Sequence, residues 1–278
     1  MYKAIISDLD GTLLNENHDV DEFTINTVKK VLEKGIKFYI ATGRSYFGAK
    51  EVMDKLNLEI PLITSNGARI LNSEGKEIYI KNLEEKYLNK IFEIDYKSIG
   101  KDIIINGYSG NDWFVVEDVI DFFINQRPDR LHVPAQIEEK EFKNKKFTKI
   151  FFLGDHDKLL ELEKIIIEST KNKVITTFAS ERSLEIFSKE CDKSIAAEYL
   201  LKKDNLKLED AVAFGDGLND YSMLKKAGKG YLMENSLYKL FERLPNNEIV
   251  KSNENNGVAD KITELFLERE WKLWKRKL

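Results

Sequence analysis

The sequence is poor in cysteine and has no long apolar segment. Its single cysteine, Cys191, cannot form an internal disulfide, which is typical of a protein kept in a reducing compartment. No apolar run approaches the roughly 18 residues that a membrane-spanning helix requires. The chain reaches an acidic residue at Asp8, too early for the apolar core of a secretory signal. We therefore expect a cytoplasmic protein without a membrane span.

The chain also lacks an excess of positive charge. Its formal net charge is -4, whereas a nucleic-acid-binding surface needs a basic face. It contains no internal repeat and no low-complexity linker. Its 278 residues, of which 42% are hydrophobic, are enough for a sizeable core and favour two domains. We expect a globular monomer with no nucleic-acid partner.

The most informative stretch lies near the N-terminus, where a short apolar run ends in SDLDGT at positions 7–12. Alternate side chains of an extended chain leave the same face, so Asp8 and Asp10 are predicted to point together. Two carboxylates held that close repel unless a proton or a cation lies between them, and Mg2+ is the simplest cation for an all-oxygen site. Gly11 permits a sharp exit that places Thr12 beside the same point. The alternative is an ordinary strand-ending turn, because Asp and Gly are common in turns.

The order of apolar and amphipathic segments predicts an α/β fold. Strands near 4–7, 36–41 and 58–64 alternate with helices near 22–34 and 46–56, which indicates parallel βαβ units. From about 83 to 183 the pattern becomes a mixture typical of an α+β domain, and the βα pattern then resumes with a strand at 184–187. We predict a Rossmann-like, doubly wound parallel sheet with an inserted α+β domain. The predicted boundaries are 1–82 and 185–278 for the core and 83–184 for the insert.

Four of the predicted core strands end in small polar or acidic residues. The four clusters are Asp8 with Asp10, Thr42 with Gly43, Ser65 with Asn66, and Asp216 with Asn219 and Asp220. Ligands of open α/β sheets bind outside the carboxyl ends of the strands, so neighbouring strands would bring all four clusters to one crevice. Carboxylates for a metal, together with hydroxyl, N–H and lysine donors for anion oxygens, fit a phosphate monoester better than an uncharged ligand.

Four segments then occur in a fixed order: DLDGT at 8–12, TGR at 42–44, Lys193, and GDGLND at 215–220. The fourth continues with ML at 223–224 and AG at 227–228, and NGVA follows at 256–259. Together they resemble the four motifs of haloacid dehalogenase superfamily phosphatases, in the Cof-like branch with a type C2 cap (subclass IIB). The residues around the third motif depart from the usual pattern, with Glu190-Cys191 before the lysine and Ser194 after it. Lys189 therefore remains an alternative candidate for that lysine.

The resemblance implies a role for each matched residue. Asp8 would be the nucleophile that forms an aspartyl-phosphate, and Asp10 would protonate the leaving oxygen and later activate water. Mg2+ would be held by the Asp8 carboxylate, the Asp10 backbone carbonyl and Asp216, with Asp220 supporting it through water. The groups expected to bind the phosphoryl oxygens belong to Thr42, Gly43, Lys193 and Asn219.

Three features near these motifs carry weaker signals. Asn235 is expected to orient a loop, with contact to the ligand as the alternative, and His18 is expected to be solvated. The basic, tryptophan-containing segment 271–278 favours packing on the core or on a second subunit over contact with a membrane surface.

The resemblance predicts a Mg2+-dependent phosphatase acting on small phosphorylated metabolites, with sugar phosphates foremost and the insert closing over the substrate as a cap. A phosphomutase could use the same aspartyl-phosphate. A glycosyltransferase would use Asp-x-Asp for a metal–nucleotide but leaves Lys193 and 215–220 unexplained. A regulatory module that binds phosphate without turnover is the third alternative, although both first-motif aspartates are present.

Overall fold

The computed structural model describes residues 2–126 and 133–267. The chain divides into two compact units, one formed by Met1–Tyr79 with Asp192–Leu278 and the other by Ile80–Cys191. The second unit is thus inserted into the first along the chain. No helix within the described ranges is long and apolar enough to cross a membrane. The segment 271–278, with its predicted packing, lies outside the described residues.

Both units contain strands and helices, which are numbered in chain order. The strands are β1 (Ala4–Ser7), β2 (Lys37–Ala41), β3 (Leu62–Thr64), β4 (Arg69–Leu71), β5 (Glu77–Ile80), β6 (Ile104–Ser109), β7 (Asp112–Val115), β8 (Ala135–Gln136), β9 (Lys149–Leu153), β10 (Val174–Ser180), β11 (Ser183–Ser188), β12 (Ala211–Gly215), β13 (Lys229–Met233) and β14 (Glu248–Val250). The helices are α1 (Glu22–Glu33), α2 (Tyr46–Leu56), α3 (Glu85–Phe92), α4 (Tyr96–Ile99), α5 (Ile120–Gln126), α6 (Glu139–Lys143), α7 (His156–Ser169), α8 (Lys193–Lys203), α9 (Tyr221–Lys226), α10 (Tyr238–Arg243) and α11 (Gly257–Ile262).

The strands of the first unit form one sheet in the order β14-β13-β12-β1-β2-β3-β4-β5. β1 pairs in parallel with both β2 and β12, so that Ser7 lies opposite Ile40 on one side and Phe214 on the other. The strand order reverses between β1 and β12, and in open α/β sheets ligands bind at this switch point. The strands that carry the predicted clusters are therefore neighbours.

Helices cover both faces of this sheet. Successive residues of each strand point to opposite faces, so each strand contributes apolar side chains to both layers of helices. Ile5, Phe38 and Phe214 pack with α1, α2 and α11 on one face. Ile6 and Tyr39 pack with α8, α9 and α10 on the other face. Burial on both faces explains why the parallel strands are continuous apolar runs. The predicted doubly wound α/β core is confirmed.

The second unit contains a mostly antiparallel sheet in the order β10-β11-β9-β6-β7-β8, with the β7–β8 pair parallel. One face packs against α3 and α7 through an apolar core that includes Phe152 and Leu184. The other face carries Trp113 and Phe151 with α5. This is the α+β composition that the sequence predicts for the insert.

The structure corrects one feature of the predicted organisation. Residues 184–187 are expected to restart the core, but they lie in β11, which pairs with β9 and β10 inside the second unit. An apolar strand carries no local signal for the sheet it joins, because its partners are distant in sequence. The chain returns to the first unit at Asp192, directly before Lys193.

Candidate active site

Asp8 lies directly after β1, at the centre of the first unit's sheet, and it is buried. Its backbone N–H donates to the carbonyl of Phe214 at 3.0 Å, which continues the parallel pairing one residue beyond the strand. Its carboxylate Oδ1 accepts from the Lys193 ammonium at 2.6 Å. The aspartate of the first motif and the lysine of the third are therefore in direct contact.

Lys193 occupies the first turn of α8, where a positive charge is unfavourable because the helix N-terminus carries a partial positive charge. Asp192 caps the helix by accepting from the Ser194 N–H at 2.7 Å. The Lys193 side chain is only 1% exposed, and its ammonium also donates to Asp220 Oδ1 at 2.7 Å. Two carboxylates thus compensate for the burial of this charge at an unfavourable position.

Lys189, the alternative lysine for the third motif, belongs to the second unit and is exposed. Its ammonium donates to the carbonyl of Asn172 at 2.8 Å. The contact between Lys193 and Asp8 therefore favours Lys193 as the lysine of the site.

Asp220 shapes the turn that follows β12. Its Oδ1 accepts from Lys193, while its Oδ2 accepts from the backbone N–H groups of Asp216 at 3.1 Å and Gly217 at 2.9 Å. A Cβ on Gly215 would lie 2.6 Å from the Asp220 side chain, so this close turn requires glycine. Both oxygens of Asp220 are engaged, which fits an indirect, water-mediated role at a metal better than direct ligation.

Asp216 lies beside the loop of the first motif. The Thr12 hydroxyl donates to Asp216 Oδ1 at 3.1 Å. Gly11 has a φ of +70°, and a Cβ there would lie 2.5 Å from Asp216 Oδ2. The Asn235 amide donates to the Gly11 carbonyl at 2.7 Å, so Asn235 contacts the loop of the first motif. A side chain at position 11 would therefore displace the Asp216 carboxylate.

The buried charges of this cluster do not balance. Asp8, Asp216 and Asp220 each offer an oxygen within 4.8 Å of the others. Burial, followed by repulsion from Asp220, raises the pKa of Asp8 well above its usual range and raises the pKa of Asp216 to about 6. Burial opposes the charged form of Lys193, but the carboxylates of Asp220 and Asp8 outweigh it and raise the lysine pKa. Three carboxylates facing one ammonium are an all-oxygen donor set that fits a hard divalent cation.

The Asp10 carboxylate has different partners from that of Asp8, and it is not part of the group of carboxylates that Asp8 forms with Asp216 and Asp220. Arg44 Nε donates to Asp10 Oδ2 at 2.8 Å, and its Nη2 donates to Oδ1 at 2.5 Å. His18 is exposed as expected, yet its Nδ1 lies 3.7 Å from Asp10 Oδ1. The sequence assigned no role to Arg44 beyond its place in the second motif.

The turn after β2 carries Thr42 and Gly43, the predicted phosphate-binding pair. Thr42 is fully buried, and its hydroxyl accepts from the Arg44 N–H at 3.1 Å. A Cβ on Gly43 would lie 3.1 Å from the Asn66 Oδ1, which itself accepts from the exposed Asn219 amide at 2.9 Å. Asn66, in the turn after β3, is therefore close to the turn after β2 and bonded to the turn after β12.

The chain is similar to known proteins along almost its whole length. The family of haloacid dehalogenase-like hydrolases matches residues 5–262. A protein of Buchnera aphidicola subsp. Baizongia pistaciae, provisionally named a phosphatase, is 38% identical over 97% of this chain and 100% of its own length. A Yersinia pseudotuberculosis protein named HMP-PP phosphatase is 29% identical over 93% of each chain. The crystal structure of a haloacid dehalogenase-like hydrolase from Bacteroides thetaiotaomicron matches with a TM-score of 0.82 and 24% identity, covering 96% of this chain and 100% of that one.

Proposed function

Because the chain belongs to the haloacid dehalogenase-like hydrolases and is a phosphoric monoester hydrolase of that family, we propose that it is a Mg2+-dependent phosphatase of small phosphorylated metabolites. The observation that carries the proposal is the buried contact of Lys193 with both Asp8 and Asp220, next to Asp216. A structural ion pair needs one partner for one charge. This cluster instead holds surplus carboxylates at the switch point of the sheet, where a cation and an anion can be bound together.

In the proposed reaction, Asp8 attacks the phosphorus atom and forms an aspartyl-phosphate as the bond to the leaving oxygen breaks. Asp10 gives its proton to that oxygen, so that the leaving group departs as a neutral alcohol. Water then attacks the phosphorus while Asp10 takes up its proton, which frees Asp8 and releases phosphate. Asp10 has to exchange its Arg44 contacts for the leaving oxygen before it can act as the acid.

The remaining residues bind charge. Lys193, Thr42, Gly43 and Asn219 are the proposed donors to the phosphoryl oxygens, which spread negative charge in the transition state. Asp8, Asp216 and the Asp10 backbone carbonyl are the proposed ligands of Mg2+, with Asp220 behind them. When bound, the ion offsets the repulsion between the Asp8 carboxylate and an anionic substrate.

Sugar phosphates are the first substrates to test, followed by nucleotides and pyridoxal or flavin-precursor phosphates. HMP-PP belongs in the panel because the Yersinia relative is named for it. We expect purified protein with Mg2+ to release phosphate from p-nitrophenyl phosphate and to prefer one class of the panel. A requirement for a bisphosphate, with no free phosphate formed, would identify a phosphomutase. Tight binding without any turnover would identify a regulatory module.

Metal binding should depend on pH in a defined direction. The pKa of Asp216 is raised to about 6 in the folded protein. Protonated Asp216 therefore stabilises the metal-free fold, fully at a pH below the pKa of this group in the unfolded chain. This contribution is lost as the pH rises through 6. Protons and Mg2+ compete for the same carboxylates. Mg2+ at about 100 times its Kd should raise Tm by roughly 5–10 °C at pH 7.5 and far less at pH 5. Thermal scans with and without Mg2+ test this, and equal shifts at both pH values would contradict it.

A further inference from the structure

The turn after β3 has an unusual backbone for its sequence. Three consecutive residues are left-handed, with φ of 51° at Ser65, 55° at Asn66 and 95° at Gly67. This region is unfavourable for residues other than glycine, and asparagine tolerates it better than most. Such conformations persist where surrounding contacts enforce them, and they cluster at functional sites. The proposed function gives Ser65 and Asn66 no role, although they form one of the four polar clusters of the sequence.

The surrounding contacts fix this turn on two sides. The N–H of Ser65 donates to the Arg44 carbonyl at 2.8 Å, and the N–H of Asn66 donates to the Thr42 carbonyl at 3.0 Å. A Cβ on Gly67 would lie 2.5 Å from the backbone oxygen of Asp192, which directly precedes Lys193. The turn is therefore locked between the phosphate-binding turn after β2 and the N-terminus of α8. Its backbone cannot shift without moving both.

The side chain of Asn66 reaches the third of the neighbouring turns. Its Oδ1 accepts from Asn219 Nδ2 at 2.9 Å. The other end of the Asn219 amide lies close to Gly217, because a Cβ on Gly217 would lie 2.5 Å from Asn219 Oδ1. The hydrogen bond to Asn66 therefore orients the Asn219 amide through its nitrogen. A planar amide with one N–H committed to Asn66 has its second N–H in a fixed direction.

We propose that Asn66 is a positioning residue that holds the Asn219 amide with an N–H, and not its oxygen, available to a phosphoryl oxygen. Without this acceptor the Asn219 amide can rotate by half a turn and present its oxygen, which repels an anion. The proposal rests on the proposed phosphatase function, in which Asn219 binds phosphate. In this proposal Asn66 does not touch the substrate and acts only through Asn219.

The test uses Asn66→Gly, because glycine adopts the left-handed conformation without strain and removes only the amide. Asn57→Gly is the matched control, since Asn57 is also left-handed, with a φ of 48°, and lies at the C-terminus of α2. With Mg2+ present, we expect Asn66→Gly to lower kcat/KM for p-nitrophenyl phosphate about five- to tenfold, the scale of one oriented hydrogen bond. The Kd for inorganic phosphate, measured by calorimetry, should rise by a similar factor. Asn57→Gly should change neither value by more than about twofold.

A double-mutant cycle separates positioning from a general loosening of the turn. In an Asn219→Ala background, Asn66→Gly should have no further effect on kcat/KM or on phosphate affinity. An equal loss in both backgrounds would show that Asn66 does not act through Asn219 and would overturn the inference. So would unchanged kinetics of the single variant. If the Tm of Asn66→Gly is well below that of the Asn57→Gly control, the double-mutant cycle is evaluated from phosphate affinities measured at a temperature below the unfolding transition of Asn66→Gly.

Failure of the proposed function gives a different result. A wild-type protein that hydrolyses nothing in the panel yet binds inorganic phosphate would disprove the proposed phosphatase function. The double-mutant cycle on phosphate affinity, measured by calorimetry, would still test the positioning role of Asn66. A wild-type protein that binds no phosphate would overturn both.

Discussion

Replacing Asp8 by asparagine is expected to abolish phosphate release and to leave the protein at least as stable as the wild type. The variant lacks the proposed nucleophile, so kcat should fall by about four orders of magnitude or more, as when a nucleophile is removed from other enzymes. The stability has a separate cause. Burial and the neighbouring Asp220 raise the pKa of Asp8, so its ionised form destabilises the metal-free fold at neutral pH. Asparagine removes that charge and keeps an oxygen that can accept from Lys193.

The measurement pairs a phosphate-release assay with thermal unfolding in the absence of metal at pH 7.5. Asp54→Asn is the control, because Asp54 is an exposed carboxylate on α2 and should leave both values unchanged. Acid-quenched wild-type enzyme should carry a phosphoryl group that mass spectrometry locates on Asp8, and the variant should carry none. Residual activity above a few per cent would exclude Asp8 as the nucleophile. A large loss of Tm would show that its carboxylate stabilises the fold.

Replacing Lys193 by methionine should have the opposite effect on stability. Methionine fills a similar volume but leaves Asp8, Asp216 and Asp220 without their buried cation. Removing one partner of a buried ion pair costs about 3–5 kcal/mol, which corresponds to a Tm lower by roughly 6–20 °C in the metal-free protein. Catalysis should fall about 100- to 1000-fold at least, the loss typical of one oriented donor at a transition-state charge. Added Mg2+ should restore part of the lost stability, because it supplies positive charge to the same carboxylates.

Lys189→Met is the matched control for this variant. Lys189 is exposed and contacts a carbonyl of the second unit, so its replacement should change the free energy of unfolding by less than about 0.5 kcal/mol. The pair also decides which lysine belongs to the third motif. If Lys189→Met loses activity while Lys193→Met retains it, the assignment of Lys193 is wrong.

The sequence predicted the core because its signals there are local. Apolar runs that end in polar residues located β1, β2, β3 and β12, and the rule that ligands bind at the carboxyl ends of parallel strands brought their tips together. Gly11 and Thr12 were placed beside the metal cluster by the same reasoning. Strand β14 has almost no apolar pattern by which the sequence could predict it, because Glu248 and Ile249 are exposed and only Val250 is buried.

Other features depend on contacts that no local pattern encodes. The pairing of the Asp10 carboxylate with Arg44 joins the turns that follow β1 and β2. The choice between Lys193 and Lys189 depends on the residue at which the chain re-enters the first unit. The contact between Asn66 and Asn219 joins turns that are far apart in sequence. Motif spacing identifies which residues meet a ligand but not which neighbours hold them in place.

The central position of β1 has a consequence for biosynthesis. Ala4 pairs with Lys37 on one side but with Ala211 on the other, so a growing chain cannot complete this sheet until its last third has been made. The inserted unit is one continuous stretch, Ile80–Cys191, and can fold while β1 still has an open edge. Pairing between distant segments is slow and leaves strand edges exposed in the meantime. We therefore expect free chains truncated between residues 192 and 210 to protect the insert from protease and to leave residues 4–41 susceptible.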